Sequence, residues 1–251
     1  MKIQVIVALI AAMPFVAQAS DLPSKKSTQV PSSMSHAVDT WTGAYVGITG
    51  GYGWGSSEFD DGAFTFPAPA NYNYDLKSDG WIVGGVAGYD WQLSNNLVIG
   101  IVGDVSWADV SGKVCVDNSG SCSGDSRDSY ADVKIDLFAT ARARVGYALD
   151  NTLLYVTGGA AYASATSTIT NVGGEIGYNS ISADENIFGW VIGGGAEYKL
   201  NRNMSVGIEY LHVDFGGNTV HYSNADIAPV SIGVETTTTV DLVRGSLNYR
   251  F

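Results

Sequence analysis

A strict alternation of apolar and polar residues through residues 132–149 constrains the fold more than any other feature of the chain. Val133, Ile135 and Leu137 begin a series of apolar residues at every second position that ends at Leu149, and the positions between them are mostly polar. A period of two residues indicates a β-strand with two different faces. The segment is far longer than the usual strand of about five or six residues. It also exceeds the ~9–11 residues that a tilted strand needs to cross a bilayer.

Seven further segments repeat the alternation, so the sequence predicts eight strands. Their approximate ranges are 41–55, 79–93, 97–110, 132–149, 152–168, 186–200, 204–215 and 237–251. Short turns rich in Asn and Asp lie at 94–96, 150–151 and 201–203. Long connections alternate with these turns, at 56–76, 111–131, 169–185 and 216–236. A soluble sandwich or lipocalin has no reason to sort its loop lengths in this way. We therefore expect an all-β protein, an eight-stranded antiparallel transmembrane β-barrel with short periplasmic turns and four long extracellular loops.

The charged residues of these segments follow the polar face. Six acids and six bases lie on it: Asp90, Asp104, Asp132, Asp136, Glu197, Glu209, Lys134, Arg142, Arg144, Lys199, Arg244 and Arg250. The apolar face carries ionisable residues near strand ends, namely Asp109, Asp214, Asp241 and His212. A soluble barrel places its charges outside, so this pattern is inside-out. Because eight strands enclose a lumen that side chains can fill, we expect the twelve charges to form a network there and the barrel to conduct poorly.

Aromatic residues lie near both ends of the apolar face. Such placement is typical of the two aromatic girdles that flank the apolar band of a membrane barrel. The predicted girdle residues are Trp54, Trp81, Tyr89, Trp91, Trp107, Tyr147, Trp190, Tyr198 and Tyr249.

The N-terminal region predicts export. Residues 1–19 combine Lys2, an apolar stretch and the small-x-small sequence Ala17-Gln18-Ala19, the pattern of a secretory signal peptide. Residues 20–40 are rich in Ser and Thr, contain two Pro and show no apolar period, so we expect a flexible periplasmic linker. The barrel then occupies residues 41–251. The net charge of −12 argues against nucleic acid as a partner.

Five stretches carry a resemblance to a known family. They are WTGAYVG at 41–47, GYDWQ at 88–92, RARVGY at 142–147, LYVTGGAAY at 154–162 and LNYRF at 247–251. They resemble the small eight-stranded outer-membrane proteins of alphaproteobacteria, the Omp25/Omp31-like porin family. The ending, with Tyr249 and Phe251 at alternate positions, looks like the C-terminal signal that the barrel assembly machinery reads.

The resemblance implies a place in the outer membrane of a Gram-negative cell, among outer-membrane lipids and lipopolysaccharide. It implies a structural role in the envelope. Some members of the family bind haem or contact a host, so a haem or host ligand at the extracellular loops is a further expectation. We expect no other cofactor and no metal site.

Two smaller features lie in the predicted loops. Cys115 and Cys122 are close in sequence and can form a local disulfide in an exported protein. The stretch His221-Tyr222-Ser223-Asn224 is similar to a His-x-Ser-Asn motif of the lipid A deacylase family, where a His activates a Ser nucleophile. The alternative to a non-enzymatic barrel is therefore an outer-leaflet hydrolase of that type. His212 or His221 would be the axial ligand if haem binds.

Overall fold

The structure is a computed structural model that describes residues 40–60, 74–115, 130–170, 180–222 and 232–251. Eight antiparallel strands pair in chain order, and the first also pairs with the last, so the sheet closes into a barrel. The strands are β1 (Gly43–Asp60), β2 (Tyr74–Gln92), β3 (Leu97–Cys115), β4 (Tyr130–Leu149), β5 (Thr152–Thr170), β6 (Ser180–Lys199), β7 (Met204–Tyr222) and β8 (Ile232–Arg250). In these ranges, no helix is long and apolar enough to cross a membrane. The predicted all-β, eight-stranded antiparallel barrel is confirmed.

Three short turns join the strands at one end of the barrel, which we call the short-turn end. Asn96 and Asp150 adopt left-handed backbone conformations there, with φ of 63° and 50°. Asn and Asp tolerate this region better than most residues. In the third turn, the side chain of Asn201 accepts hydrogen bonds from the backbone N–H groups of Asn203 and Met204, both at 2.9 Å. The turn residues therefore supply the local chemistry that closes each hairpin.

At the opposite end the strands run further than the alternation predicts. β6 begins at Ser180 and β7 ends at Tyr222, whereas the predicted limits were 186 and 215. Polar residues occupy both faces of these extensions, so the period of two disappears while the backbone pairing continues. Thr166, for example, donates a hydrogen bond to Asp184 at 3.0 Å between β5 and β6.

A β-bulge in β4 changes which side chains face inwards. Ile135 and Leu137 pair with consecutive residues of β5, which leaves Asp136 between them without a partner position. Ile135 is consequently buried, whereas Lys134 and Asp136 each expose 53% of their side chains. The predictions that Ile135 faces outwards and that Asp132, Lys134 and Asp136 lie in the lumen are wrong. One extra residue sends every side chain beyond it to the opposite face.

The barrel interior has two layers of different chemistry. The half nearer the short turns holds charged and polar side chains. The other half is packed with apolar side chains from all the strands except β1. Its buried members are Ile82, Ala108, Val110, Ile135, Phe138, Ala161, Ala163, Ile187, Val191, Leu211, Val213, Phe215, Val240 and Leu242.

Candidate functional site

The charged layer contains a group of four residues in which each arginine bridges both acids. We call it the central quartet: Asp104, Arg142, Glu209 and Arg244. Arg142 contacts Asp104 at 2.9 Å and Glu209 at 2.8 Å. Arg244 contacts the same two carboxylates at 2.9 and 2.7 Å. All four side chains expose 10% of their surface or less, so the quartet is a closed, neutral ring of ion pairs inside the barrel.

A second group repeats the arrangement nearer the short turns. This turn-side quartet consists of Asp90, Arg144, Glu197 and Arg250. Arg144 forms a bidentate pair with Asp90 and reaches Glu197 at 3.2 Å. Arg250 contacts Asp90 at 2.8 Å and Glu197 at 3.6 Å. Bidentate pairs between guanidinium and carboxylate fix geometry as well as charge, so the two quartets tie strands together across the lumen.

Glycine and aromatic residues make room for the turn-side quartet and cover it. A Cβ atom added to Gly100 would lie 2.2 Å from Asp90 Oδ1, so only glycine leaves space for that carboxylate. The guanidinium of Arg144 lies 4.8 Å from the ring of Tyr45 and 5.1 Å from the ring of Tyr155. These distances suit cation–π contacts. The quartet is thus packed on its sides as well as paired.

Trp41 closes the barrel at the short-turn end, between the turn-side quartet and the turns. Its side chain is fully buried against Val98 and Leu153. The ammonium group of Lys199 lies 4.7 Å from the indole ring, and the guanidinium of Arg250 lies 5.4 Å from it. The backbone adds further ties, because Trp41 N–H donates to the Gln92 side chain at 2.7 Å, and Arg250 donates to the Trp41 carbonyl.

Sequence reasoning missed the role of Trp41, although a signal was present. Within the predicted strand 41–55, Trp41 lies four positions before Tyr45, which is also buried. In a strand, residues two or four apart share a face. The shared parity therefore indicated that Trp41 points inwards, unlike the other five tryptophans.

Nine of the twelve charges predicted for the lumen lie inside the barrel. They are the eight quartet residues and Lys199. The other three lie outside, where Lys134 contacts Asp136 at 2.8 Å and Asp132 lies 4.0 Å from Lys113. The buried set has five bases and four acids, so it is not the balanced set of six and six that the sequence predicted.

Comparison with known proteins decides the family. A family model described as an outer membrane protein beta-barrel domain matches residues 28–251. The chain belongs to this family. It is 34% identical over 255 residues to the 31 kDa outer-membrane immunogenic protein of Brucella melitensis, covering 98% of this chain and 99% of that relative. It is 28% identical over 247 residues to the 25 kDa outer-membrane immunogenic protein of Brucella abortus, covering 96% and 94%. Among solved structures, OprG from Pseudomonas aeruginosa covers 85% of this chain and 100% of its own, at 13% identity and a TM-score of 0.47.

Membership in this family identifies the protein as an outer-membrane β-barrel of the Omp25/Omp31 type. Because the short turns of bacterial outer-membrane barrels face the periplasm, we expect the short-turn end to be the periplasmic end and the quartets to lie in the periplasmic half of the lumen. The large apolar side chains that are exposed on the outer wall face lipid. We expect the apolar layer inside the barrel to lie in the extracellular half.

The residues predicted for the aromatic girdles point outwards. Eight of them expose between 44% and 73% of their surface, and the ring of the ninth, Tyr89, lies 4.5 Å from that of Trp91. Trp54, Trp81, Trp107 and Trp190 lie towards the extracellular end. Tyr89, Trp91, Tyr147, Tyr198 and Tyr249 lie towards the periplasmic end.

The remaining predicted sites fall at the ends of strands. Tyr249 and Phe251 point outwards at the periplasmic end, with their rings 5.2 Å apart. On the outer wall, His212 Nδ1 lies 2.8 Å from Asp241 Oδ1. Cys122 and Ser223 lie outside the described residues, as do the side chains of Cys115 and His221. In the part of the chain that the structure describes, no group of three or more His, Cys, Asp or Glu residues could hold a metal ion.

Proposed function

We propose that the protein is a closed, non-enzymatic barrel that reinforces the outer membrane and interacts with other molecules through its extracellular side. The observation that carries this proposal is the filling of the lumen by two different layers. An ion entering from the periplasm would have to break a quartet of paired charges. It would then have to cross an apolar layer that offers no replacement for its hydration shell.

The quartets favour a permanent closure over a gated pore. Each arginine is held by two carboxylates, at least one of them on a strand that is not its neighbour, so moving one side chain leaves several charges unpaired. An unpaired charge in a buried site costs several kcal/mol. Thermal motion of single side chains is therefore a poor route to an open channel.

The conductance of the folded protein in planar bilayers tests the proposal. We expect the wild-type protein to show no large, steady open state. Replacing two residues of the central quartet, as in Arg142→Ser with Arg244→Ser, removes one barrier and leaves Asp104 and Glu209 without arginine partners, so brief cation-preferring openings should become more frequent while the apolar layer still prevents a large, steady conductance. Lys134→Ser on the outer wall is the matched control and should behave as wild type. A large, steady conductance of the wild-type protein would overturn the proposal.

The proposed partners are outer-membrane lipids and lipopolysaccharide around the wall, and the barrel assembly machinery at Tyr249 and Phe251. Both relatives are named outer-membrane immunogenic proteins, and we extend to this chain the expectation that its extracellular loops meet external molecules. Lipid A from the same bilayers should remain intact. Loss of an acyl chain that Ser223→Ala abolishes would instead assign the hydrolase function.

Haem binding is a second candidate, and the contact between His212 and Asp241 favours it. A histidine whose Nδ1 faces a carboxylate is oriented to present Nε2 to a metal. His212 would hold the haem, which would supply its iron as a ligand-binding centre. Titration of the folded protein with haemin, followed by its Soret band, should show binding that His212→Ala removes and His221→Ala retains. Equal binding by all three proteins would exclude His212 as the ligand.

A further inference from the structure

The pairing between β6 and β7 ends well before the two strands do. On the extracellular side, its last pair joins Trp190 to Asp214. β6 nevertheless stays paired with β5 as far as Ser180, and β7 stays paired with β8 as far as Tyr222. In the described part of the chain, each strand beyond this last pair therefore has one edge in a ladder and one edge outside any ladder.

A bulge in β7 produces the separation. The register between β7 and β8 shifts between Asp214 and Gly217. Gly216 adopts a left-handed conformation with φ of 64°, and its N–H donates to the Asp214 side chain at 2.7 Å. That N–H is thus bonded within β7 and not to β6. Because a bulge bends its strand and interrupts pairing, this short segment turns β7 away from β6.

The space beside the bulge is open. A Cβ atom added to Gly216 would meet no heavy atom within 4 Å outside its chain neighbours, and one added to Gly217 would meet Thr237 of β8 alone, at 4.0 Å. A Cβ atom added to Gly189, which lies next to the last pair, would instead be 2.2 Å from the Asp214 carbonyl oxygen. The gap between β6 and β7 therefore opens within a few residues.

The ladder between β2 and β3 also ends early, at the pair of Asp79 with Ser111. These strands stay together, however, because a Cβ atom added to Gly112 would lie 2.5 Å from the Lys77 carbonyl oxygen. An early end to a ladder does not by itself open a gap, and the bulge at Gly216 distinguishes β7.

Backbone groups of β6 face this gap at every second residue. At the other end of β6, the N–H of Lys199 donates to the Asn151 carbonyl, on the side of β5. The direction of the N–H and C=O groups alternates along a strand, and the register between β5 and β6 is unbroken. Odd-numbered residues of β6 therefore face β5. Beyond Trp190, the even-numbered residues that face the gap are Phe188, Asn186, Asp184 and Ser182.

We propose that the edge of β6 from Ser182 to Phe188 binds an extended, basic segment of an external protein, which adds to the sheet as a strand. The proposal rests on the proposed function, because it assigns a binding surface to the extracellular side. An open strand edge is a template for another chain. In this mode of binding, hydrogen bonds between main chains supply the affinity. A lipid chain offers no such repeating donors and acceptors.

The position and the charge of the edge support this partner. The edge begins beyond Trp190 of the extracellular girdle, where water can reach backbone groups that the hydrocarbon region would leave unsatisfied. Residues 180–189 contain Asp184 and Glu185 and no Lys or Arg. Asp184 is exposed on the outer face and accepts a hydrogen bond from Thr166 of β5. Because opposite charges on facing strands attract, a lysine at alternate positions of the added strand is favoured.

Fluorescence anisotropy of a labelled synthetic peptide tests the proposal. The probe has about ten residues that alternate lysine and threonine, and it is titrated with the detergent-folded protein at low salt. We expect saturable binding. Two further peptides are methylated at the backbone nitrogens of either the lysines or the threonines. They keep the charge, but the one that loses the donors facing β6 should bind about tenfold more weakly.

Variants at Asn186 test the backbone edge directly. Asn186→Pro removes one N–H that faces the gap, and proline is tolerated at an edge where the ladder does not use that N–H. It should weaken binding several-fold. Asn186→Thr is the matched control, because it keeps the N–H and loses the side-chain oxygen that Tyr162 contacts at 2.7 Å. It should bind as wild type. Heat-modifiable migration in gels checks the folding of each variant.

Three results would overturn the proposal. One is the absence of saturable binding by the folded wild-type protein. Another is equal binding of the two methylated peptides, which would indicate attraction by charge alone. The third is unchanged binding by folded Asn186→Pro. The conductance experiment reports on the lumen alone, so a closed barrel without peptide binding would reject this site and leave the proposed closure intact.

Discussion

Arg142 on β4 and Glu209 on β7 form an ion pair across the lumen, with Nη1 and Oε1 2.8 Å apart. These strands are separated by β5 and β6 on one side of the barrel, so no backbone pairing joins them. The contact therefore links opposite walls of the barrel. Because Arg244 contacts the same two acids, this ion pair belongs to a closed ring of four residues, and each residue relies on two others for its pairing.

Removing one member of this ring should destabilise the barrel strongly. Arg142→Ala leaves Asp104 and Glu209 with a single guanidinium between them, and breaking a buried pair in this way costs about 3–5 kcal/mol. Urea unfolding of the detergent-folded protein, followed by the loss of the fast-migrating form, measures the change. Lys134→Ala removes an exposed lysine from the outer wall and should have little effect. A similar loss in both variants would contradict a special role for the buried ring.

Removing a positive and a negative charge together should cost less than the two single changes combined. In Arg142→Met with Glu209→Gln, the remaining Asp104 and Arg244 still pair with each other at 2.9 Å. A double-mutant cycle on the free energy of unfolding isolates the coupling, and pairs in one network typically couple by about 0.5–3 kcal/mol. Additive effects would mean that the two residues do not act as a unit.

The bulge in β4 predicts a local pattern of chemical accessibility. In a background of Cys115→Ala and Cys122→Ala, Lys134→Cys should react with a hydrophilic maleimide, whereas Ile135→Cys should resist it. The reason is that the extra residue at Asp136 turns position 135 into the apolar layer. If the alternation ran unbroken through β4, position 135 would react and position 134 would be protected. Mass spectrometry of the labelled, folded protein distinguishes the two patterns.

The sequence predicted the barrel and placed all eight quartet residues in the lumen, because both predictions depend only on which residues fall at alternate positions of a strand. From Ala139 to Leu149 the alternation is unbroken, so Arg142 and Arg144 had to share a face opposite the lipid-facing apolar residues. Which acid each arginine meets depends on the stagger of eight strands around the closed sheet. A one-dimensional pattern contains no record of that stagger.

The same alternation of apolar and polar residues explains where sequence reasoning failed. Val133, Ile135 and Leu137 continue the apolar alternation through the bulge, so nothing in the pattern shows that Asp136 is an extra residue. The strand ends failed for a different reason. Once polar residues occupy both faces, as at Asp184 and Glu185, a strand looks like a loop although its backbone pairing persists.

Trp41 should contribute more to stability than any single tryptophan of the outer wall. Trp41→Ala would empty a fully buried site between Lys199, Arg250 and the apolar residues of the periplasmic end, and such truncations cost about 3–5 kcal/mol. Trp107→Ala is the comparison, because Trp107 is 70% exposed and detergent or lipid can fill the space that it leaves. Urea unfolding of both variants should show a much larger loss for Trp41→Ala. Equal losses would mean that Trp41 is not part of the structural core, and that the barrel is closed by the turn-side quartet alone.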